Sequence, residues 1–306
     1  MRLVQHKKEA YWFYFFLSNF YDTLVNPLFW TVKMRDESLE LARLDNRNLT
    51  VVDVGSGTGF TTQGIVEKVD AKNVTSIDQS HGQQSKAKKK EDLQNCKFLI
   101  GDAENLPFEN DEFDRYVSAG SIEYWPNPQR GLDEAFRVIK PGGTALMIGP
   151  LEPSNPIVKF FAQTWMLFPP REDYFKWMKE AGFSNIRHEY VRPHWYNPRT
   201  GEYSIAIAGD KPLDAVNPPR PEITEISEAS DEKMSFGRKI LMWIRVIIGS
   251  TAGFIFIPIA LIGYLISMGT QRNVDVRWRE TLTRQQVMVL GVIAIAVLIL
   301  IVRCAS

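Results

Sequence analysis

The sequence has few cysteines and no excess charge of either sign. Its two cysteines, Cys96 and Cys304, lie far apart and match no metal-ligand spacing, so we predict neither a disulfide framework nor a metal site. The 36 basic residues equal the 36 acidic residues in number, which removes the broad positive surface typical of nucleic-acid binders. With 306 residues, the chain can form a full-sized core without cross-links. A disulfide-stapled mini-protein is excluded, and a nucleic-acid partner is disfavoured.

Long apolar runs are missing from most of the chain, but two occur near its end. Residues 246–269 carry no charge over 24 positions, about 36 Å of helix, which is enough to cross a bilayer. Residues 287–302 form a second uncharged run of 16 positions, about 24 Å, shorter than the roughly 30 Å hydrocarbon core. We therefore predict a membrane anchor over residues 237–306, either one transmembrane helix or a helical hairpin, with the lipid bilayer as a partner.

The segment before this anchor has a different composition. Residues 210–236 contain four prolines and seven acidic residues among 27 positions, with few large apolar side chains. Such a composition predicts a disordered tether between a globular domain and the membrane.

Aromatic residues are concentrated near the N-terminus, where ten of the twenty residues from 11 to 30 are Phe, Tyr or Trp. The run is too interrupted to span a membrane, and neither a secretory signal nor an Arg- and Ser-rich transit peptide is visible. Tyr and Trp favour positions with one wet and one apolar side. We interpret residues 1–45 as a helical lid or membrane-interface segment. A helix buried against the domain is the alternative.

Between these ends, residues 46–209 alternate between strand and helix patterns. Strands are predicted at 49–54, 73–78, 96–100, 115–118, 144–149, 186–191 and 204–208. Helices are predicted at 62–69, 83–91, 128–138, 156–168 and 171–181. This alternation is typical of an α/β fold with a parallel sheet and crossover helices.

Three glycines follow the first predicted strand in the segment VVDVGSGTGF, residues 51–60. Glycines at such a turn let the backbone approach a ligand closely and adopt positive φ angles. A dinucleotide fingerprint, G-x-G-x-x-G, would place its third glycine where Phe60 stands, which disfavours a pyrophosphate ligand. Asp78 ends the second strand, 19 residues after Gly59, where its carboxylate can accept hydrogen bonds from both hydroxyls of a ribose.

The pattern D-x-G-x-G-x-G resembles motif I of class I S-adenosylmethionine-dependent methyltransferases. GDAENLPF (101–108) and RVIKPGG (137–143) resemble the segments that follow the third strand and precede the fifth in that superfamily. The resemblance implies a Rossmann-like sheet, parallel with one antiparallel edge strand, and S-adenosylmethionine as cofactor. It places the glycine-rich loop at the amino-acid end of the cofactor and the Asp102–Ala103 pair beside the adenine. The implied cofactor site comprises Asp53, Gly55, Ser56, Gly57, Gly59, Asp78, Gln79, Asp102, Ala103 and Ser118.

Longer segments resemble a narrower family, the chloroplast 2-methyl-6-phytyl-hydroquinone methyltransferases. They are residues 5–36, 51–66 and 101–108, RYVSAGSIEYWPNPQRG (115–131) and WMLFPP (165–170). That family C-methylates prenylated hydroquinols on the way to plastoquinone and tocopherols. The resemblance implies an acceptor of the 2-methyl-6-phytyl- or 2-methyl-6-solanesyl-benzoquinol type, and a plastid inner envelope or thylakoid membrane. A bacterial membrane would suit the physics equally. The second apolar run departs from the single C-terminal span of the plant enzymes and leaves the membrane topology open.

Ring methylation ortho to a hydroxyl needs electron density in the ring, which a base near the phenol promotes. The first candidate is Glu123, because it follows the fourth strand at the carboxyl edge of the sheet, where open α/β folds bind ligands. The other candidates are His194, Asp22 and His6. We interpret four aromatic residues as pocket or lid walls, with ordinary core packing as the alternative: Tyr21, Trp30, Tyr124 and Trp125.

Two other functions remain open at this point. The first is methylation of another membrane lipid, such as a sterol or a phospholipid amine, since motif I does not distinguish the acceptors. The second is a membrane-tethered protein that binds the cofactor without turnover. The presence of Asp53, Asp78 and Asp102 argues against a degenerate site.

Overall fold

The computed structural model describes residues 29–217, apart from 166, 194, 197, 198 and 200, together with residue 237. The strands are β1 (Val51–Val54), β2 (Val74–Asp78), β3 (Lys97–Ile100), β4 (Phe113–Ala119), β5 (Ile139–Pro150), β6 (Ser184–Val191) and β7 (Ser204–Asp210). The α-helices are α1 (Val32–Glu40), α2 (Phe60–Val66), α3 (His81–Ala87), α4 (Pro128–Val138), α5 (Pro156–Trp165) and α6 (Arg171–Glu180). Short 3-10 helices cover Ala71–Asn73, Glu91–Leu93 and Ile122–Tyr124.

The seven strands form one sheet in the order β3-β2-β1-β4-β5-β7-β6. The first five strands of this order are parallel to one another. Strand β7 is antiparallel to both β5 and β6, so the antiparallel strand lies one position inside the edge strand β6. The predicted Rossmann-like α/β fold with a mostly parallel sheet is confirmed. Because the chain order reverses between β1 and β4, the carboxyl ends of these two strands flank a topological switch point.

Helices cover both faces of the sheet. All four residues of β1 are buried, as expected for a parallel strand that is enclosed on both sides. Val52 and Val54 belong to the core that also contains side chains of α4 and α6. Val51 belongs to the core that contains side chains of α1, α2 and α3. The alternation of side chains along a strand therefore sends Asp53 toward the same face as Val51.

Local capping signals set the helix boundaries. Helix α4 occupies the predicted residues because Asn127 caps it, accepting the N–H of Arg130 at 3.3 Å, and Pro128 takes its first position. Helix α3 begins at His81, two residues earlier than predicted, because the hydroxyl of Ser80 accepts the N–H of Gln83 at 3.4 Å.

The folded domain is longer than residues 46–209. Helix α1 lies within the predicted N-terminal segment, yet Met34 and Leu39 are fully buried in the domain. At the other end, Lys211 is fully buried and donates to Asp111 Oδ1 at 2.7 Å and to the carbonyl of Ile139 at 2.8 Å. Asn217 donates to the second carboxylate oxygen of Asp111 at 2.8 Å. Residues 210–217, assigned to the tether by composition, are therefore fixed to the domain.

Every helix in the described part of the chain is too short or too polar to cross a bilayer. The two predicted spans, 246–269 and 287–302, lie outside the described residues.

Candidate active site

A cleft opens at the carboxyl ends of the parallel strands, where the sheet order reverses. It encloses about 880 Å³ of space, part of it open to solvent. Residues 55–58 after β1, 78–80 at the end of β2, 101–103 after β3, and 119–121 and 124–126 after β4 line it. The cleft brings together ten predicted site residues: Trp30, Gly55, Ser56, Gly57, Asp78, Gln79, Asp102, Ala103, Tyr124 and Trp125.

The turn after β1 requires glycine for conformational and steric reasons. Gly55 and Gly57 have φ angles of +70° and +56°, in the left-handed region that other residues rarely adopt. A Cβ atom on Gly55 would lie 2.5 Å from the Cβ of Ser121, and one on Gly57 would lie 2.7 Å from Oε1 of Gln83. The bare backbone of this turn therefore forms one wall of the cleft.

Asp78 places its carboxylate in the neighbouring wall. Its Oδ2 accepts the N–H of Gly57 and its Oδ1 accepts the N–H of Ser80, both at 2.8 Å. Burial raises the pKa of Asp78 to about 6, although these two hydrogen bonds act in the opposite direction. Each carboxylate oxygen keeps a further lone pair, so Asp78 can still accept two hydroxyl hydrogen bonds from a ribose.

The loop that carries Asp102 and Ala103 is fixed to helix α4. Arg137 donates to the carbonyl of Leu106 at 3.1 Å and pairs with Glu134 at 2.8 Å. Glu134 also accepts the N–H of Leu106 at 2.8 Å. The side chains of Arg137 and Glu134 are each 1% exposed, so this ion pair is desolvated and needs both of its members. The pair holds the third wall of the cleft in place.

Aromatic residues form the side of the cleft next to β4. Trp30, Tyr124 and Trp125 line it, and the last two are almost fully buried. Trp125 packs directly on helix α4 at Gly131, where a Cβ atom would lie 2.3 Å from the indole ring. Gly131 therefore determines how deep the Trp125 ring can sit.

A second group of aromatic rings lies at the same edge of the sheet, beside β5 and β7. The rings of Phe29 and Trp195 are 5.9 Å apart, and those of Trp195 and Tyr203 are 6.0 Å apart, both edge to face. The hydroxyl of Tyr203 donates to the carbonyl of Phe29 at 3.1 Å. Because Ser204 pairs with Pro150 at the carboxyl end of β5, this aromatic group extends the apolar surface beyond the cleft.

Three residues predicted to bind the cofactor lie behind the cleft wall. Asp53 faces α2 and accepts the hydroxyl proton of Thr62 at 2.6 Å; burial raises its pKa to about 7. Gly59, with φ +83°, is the N-cap of α2. Ser118 is fully buried and donates to the carbonyl of Val54 at 2.7 Å. Asp53 and Ser118 shape the walls from behind, since the side chains of a strand point to the faces of the sheet and not to the strand end.

Glu123 lies in the 3-10 helix Ile122–Tyr124, between residues that line the cleft. It is 7% exposed, and its Oε2 has no hydrogen-bond partner among the described residues. Burial raises its pKa to about 7. A carboxyl group with a pKa near neutrality can take up and release a proton at physiological pH, which is a property of general bases.

The remaining predicted residues, Tyr21, Asp22 and His194, lie outside the described residues, as does His6. Their roles stay predictions.

Five polar residues of the cleft were not predicted: Thr58, Thr61, Ser80, Gln83 and Ser121. Ser80 carried a usable signal, because a serine before a helical pattern is a start signal. Ser121 carried no sequence signal. Its position depends on the sharp turn at Gly120, with φ +62°, which brings its hydroxyl back to Ser118.

Comparisons with known proteins agree with this geometry. The family described as "Methyltransferase domain" matches residues 52–147. A chloroplastic 2-methyl-6-phytyl-1,4-hydroquinone methyltransferase of Arabidopsis thaliana is 49% identical over 263 residues, covering 84% of this chain and 77% of the relative. The protein of the same name from Spinacia oleracea is 52% identical over 220 residues, covering 71% of this chain and 64% of the relative. The match thus spans less than two thirds of the spinach protein.

A solved structure shows the shared fold. Geranyl diphosphate C-methyltransferase from Streptomyces coelicolor A3(2), in complex with Mg²⁺, geranyl diphosphate and S-adenosyl-L-homocysteine, has a TM-score of 0.51 and 14% sequence identity. The match covers 58% of this chain and 78% of that chain.

The residues of the cleft fit S-adenosylmethionine. Asp78 can accept hydrogen bonds from a ribose, and the glycine turn leaves the backbone bare, so that a ligand can approach it closely. The aromatic wall would then adjoin the cofactor. With these features, and with a relative 49% identical along most of both chains, the chain belongs to the 2-methyl-6-phytyl-1,4-hydroquinone methyltransferases, a family of S-adenosylmethionine-dependent enzymes.

Proposed function

We propose that this protein C-methylates the aromatic ring of a prenylated hydroquinol, of the 2-methyl-6-phytyl- or 2-methyl-6-solanesyl-benzoquinol type. This reaction would place it in plastoquinone and tocopherol biosynthesis. The observation that carries the proposal is the aromatic wall of Trp30, Tyr124 and Trp125 in the same cleft as the glycine turn and Asp78. The acceptor named in the relatives is an aromatic ring with an apolar tail.

On the cofactor side, the task of the chain is positioning. S-adenosylmethionine supplies a methyl group on a sulfonium centre that is already electrophilic. Asp78 would orient the ribose, and the loop at Asp102 and Ala103 would hold the adenine. Holding two reactants in near-attack geometry can supply about 7–11 kcal/mol of a reaction barrier. The rigid attachment of that loop to α4 through Arg137 supports such a role.

On the acceptor side, flat aromatic faces suit a hydroquinol ring, which can stack or pack edge to face on Tyr124 and Trp125. The isoprenoid tail needs an apolar path out of the cleft. The aromatic group of Phe29, Trp195 and Tyr203 provides apolar surface along the same edge of the sheet.

C-methylation replaces a hydrogen on the ring, so a proton must leave. We place its acceptor at Glu123, which adjoins the wall residue Tyr124 in sequence and has a pKa of about 7. A base is most effective when its pKa lies near the working pH. His194 and Asp22 remain the alternative bases.

The bilayer is the proposed reservoir of the substrate, and a plastid membrane the proposed location. Strand β7 ends at Asp210 on the amino edge of the sheet, and Lys211 fixes the chain there, so the chain leaves the domain opposite the cleft. The seven residues of β7 span about 23 Å, which is the distance between the two edges of the sheet at this strand. Of the predicted tether, residues 218–236 follow this point and would reach about 24 Å as a flexible coil. The tether would thus be long enough to let the cleft edge face the bilayer that holds the anchor.

The deciding experiment is product identification. The full chain in liposomes is given S-adenosylmethionine with a labelled methyl group and 2-methyl-6-phytyl-1,4-benzoquinol, and the lipids are examined by mass spectrometry. We expect a labelled methyl group on the ring, and about tenfold less of it with the Asp78→Ala variant when S-adenosylmethionine is below saturation. Label in phosphatidylethanolamine or a sterol, but not in the quinol, would establish the other lipid methyltransferase. Normal binding of S-adenosylhomocysteine without any methylation would identify a non-catalytic cofactor-binding protein.

A further inference from the structure

Two serine hydroxyls and a backbone carbonyl form a short hydrogen-bonded chain at the end of β4. Oγ of Ser118, which is fully buried, lies 2.7 Å from the carbonyl oxygen of Val54. Oγ of Ser121 lies 2.6 Å from Oγ of Ser118. A hydroxyl carries one proton, and a carbonyl oxygen can only accept. Ser118 therefore donates to Val54, and the proton between the two serines belongs to Ser121.

This assignment fixes what Ser121 offers to the cleft. Ser121 lines the cleft but donates its only proton inward, so its Oγ has only lone pairs left for a ligand. Donating a hydrogen bond also polarises the oxygen and makes it a better acceptor. The side chain is packed against the glycine turn, where a Cβ on Gly55 would lie 2.5 Å from the Cβ of Ser121. A ligand at this point must bring a hydrogen-bond donor.

We infer that this donor is the α-ammonium group of S-adenosylmethionine, an inference that rests on the proposed function. The hydroxyls of the ribose are assigned to Asp78 on β2. Strand β1 separates β2 from β4, so the end of β4 is about 10 Å away, two strand spacings. The sulfonium and ammonium cations favour the side with Tyr124 and Trp125, because aromatic faces attract cations. The amino-acid end of the cofactor would then lie over β1 and β4, where Ser121 is, and the adenine over β3.

Binding calorimetry tests the inference without turnover. S-adenosylhomocysteine and an analogue that lacks its amino group are titrated into the full chain and into the Ser121→Ala variant. A hydrogen bond to a charged group is strong, so Ser121→Ala should weaken binding of S-adenosylhomocysteine about tenfold or more. It should leave the affinity for the analogue unchanged. Ser121→Cys, which keeps the side-chain volume, should show the same difference.

Two further variants separate positioning from stability. Ser118→Ala frees the proton of Ser121 to point into the cleft. This variant should therefore also weaken the binding of S-adenosylhomocysteine and leave the affinity for the analogue unchanged. Ser204 is the matched control, because it is buried and donates to the carbonyl of Gly149 at 2.6 Å. Ser204→Ala should leave both affinities unchanged.

Equal weakening of both ligands by Ser121→Ala would overturn the inference, since the hydroxyl would then only support the wall. An unchanged affinity for S-adenosylhomocysteine with a raised KM for the hydroquinol would overturn it too, and would assign the hydroxyl to the acceptor. If the unaltered protein does not bind S-adenosylhomocysteine, the inference and the proposed function both fail. If it binds the ligand as expected but does not methylate the quinol, only the proposed function fails.

Discussion

Replacing Glu123 by Gln tests both the electrostatics of the site and its chemistry. Glu123 is 7% exposed, and burial raises its pKa from 4.5 to about 7. A raised carboxyl pKa means that the folded protein holds the proton more tightly than the unfolded chain does. As pH rises from about 4.5 to about 7, the unfolded chain loses this proton first. The contribution of Glu123 to the free energy of unfolding therefore becomes more unfavourable through that window and is constant above it.

The size of the effect follows from the shift. Each pKa unit corresponds to 1.36 kcal/mol. Applied to a rise from 4.5 to about 7, the linkage relation gives a penalty of about 1 kcal/mol at pH 5 and about 3 kcal/mol at pH 8. Glu123→Gln has no such titration, and its changes in packing and hydrogen bonding are the same at both pH values. The stability of the variant relative to the unaltered protein should therefore be about 2–3 kcal/mol more favourable at pH 8 than at pH 5.

Urea denaturation of both proteins at the two pH values, followed by tryptophan fluorescence, measures this difference. Asp53 and Asp78 also have raised pKa values, but they are present in both proteins and cancel. If Glu123→Gln changes the free energy of unfolding equally at pH 5 and pH 8, the raised pKa of the Glu123 carboxyl group is refuted. In the same samples, turnover should fall about 10²- to 10⁴-fold if Glu123 is the base, with the affinity for S-adenosylhomocysteine nearly unchanged. Full turnover would remove Glu123 from that role.

Three further substitutions have definite expected results. Asp78→Ala should weaken the binding of S-adenosylhomocysteine about tenfold or more, measured by calorimetry, because it removes the proposed acceptor of the ribose hydrogen bonds. An unchanged affinity would contradict that role. Arg137→Met should lower the free energy of unfolding by about 3 kcal/mol, because it leaves the buried Glu134 carboxylate with only the partly exposed Arg130, 3.8 Å away, as a basic partner. Lys176→Met, on an exposed side chain, is its control, and equal urea midpoints for the two variants would count against the reasoning. Gly131→Ala puts a methyl group where the Trp125 ring lies, so the KM for the hydroquinol should rise by a larger factor than the Kd for S-adenosylhomocysteine; an unchanged KM would exclude Trp125 from the acceptor site.

The sequence predicted best those elements whose signals are local. Helix α4 has a capping asparagine, a proline at its first position and an apolar face, and its predicted and observed boundaries coincide. The predicted strands overlap all seven observed ones, because buried parallel strands read as short apolar runs. The place of the cofactor site followed from sheet topology, since loops at the carboxyl ends of neighbouring parallel strands must meet.

Features that depend on contacts between distant segments were out of reach. Lys211 can be buried because Asp111 and the carbonyls of Phe136 and Ile139 accept hydrogen bonds from its ammonium group. No local sequence pattern predicts those partners. Motif resemblance placed Asp53 and Ser118 in the cofactor site. Both belong to strands, whose side chains point to the faces of the sheet, whereas the cleft is lined by residues at or beyond the strand ends. Ser121 was missed because no local pattern predicts the sharp turn at Gly120 that brings its hydroxyl back to Ser118.

The raised pKa values of three acidic residues at this edge of the sheet have a common physical origin. Asp53 and Glu123, with pKa values of about 7, and Asp78, with a pKa of about 6, are all buried near the ends of β1, β2 and β4. Burying carboxyl groups without counter-charges opposes folding, and proteins tolerate such groups mainly at functional sites. In the described part of the chain, none of the three carboxyl groups forms an ion pair with a basic side chain. A positively charged cofactor bound in the cleft would supply the counter-charge that these acids lack and would favour their ionised forms. Cofactor binding and proton release at this edge are therefore expected to be coupled.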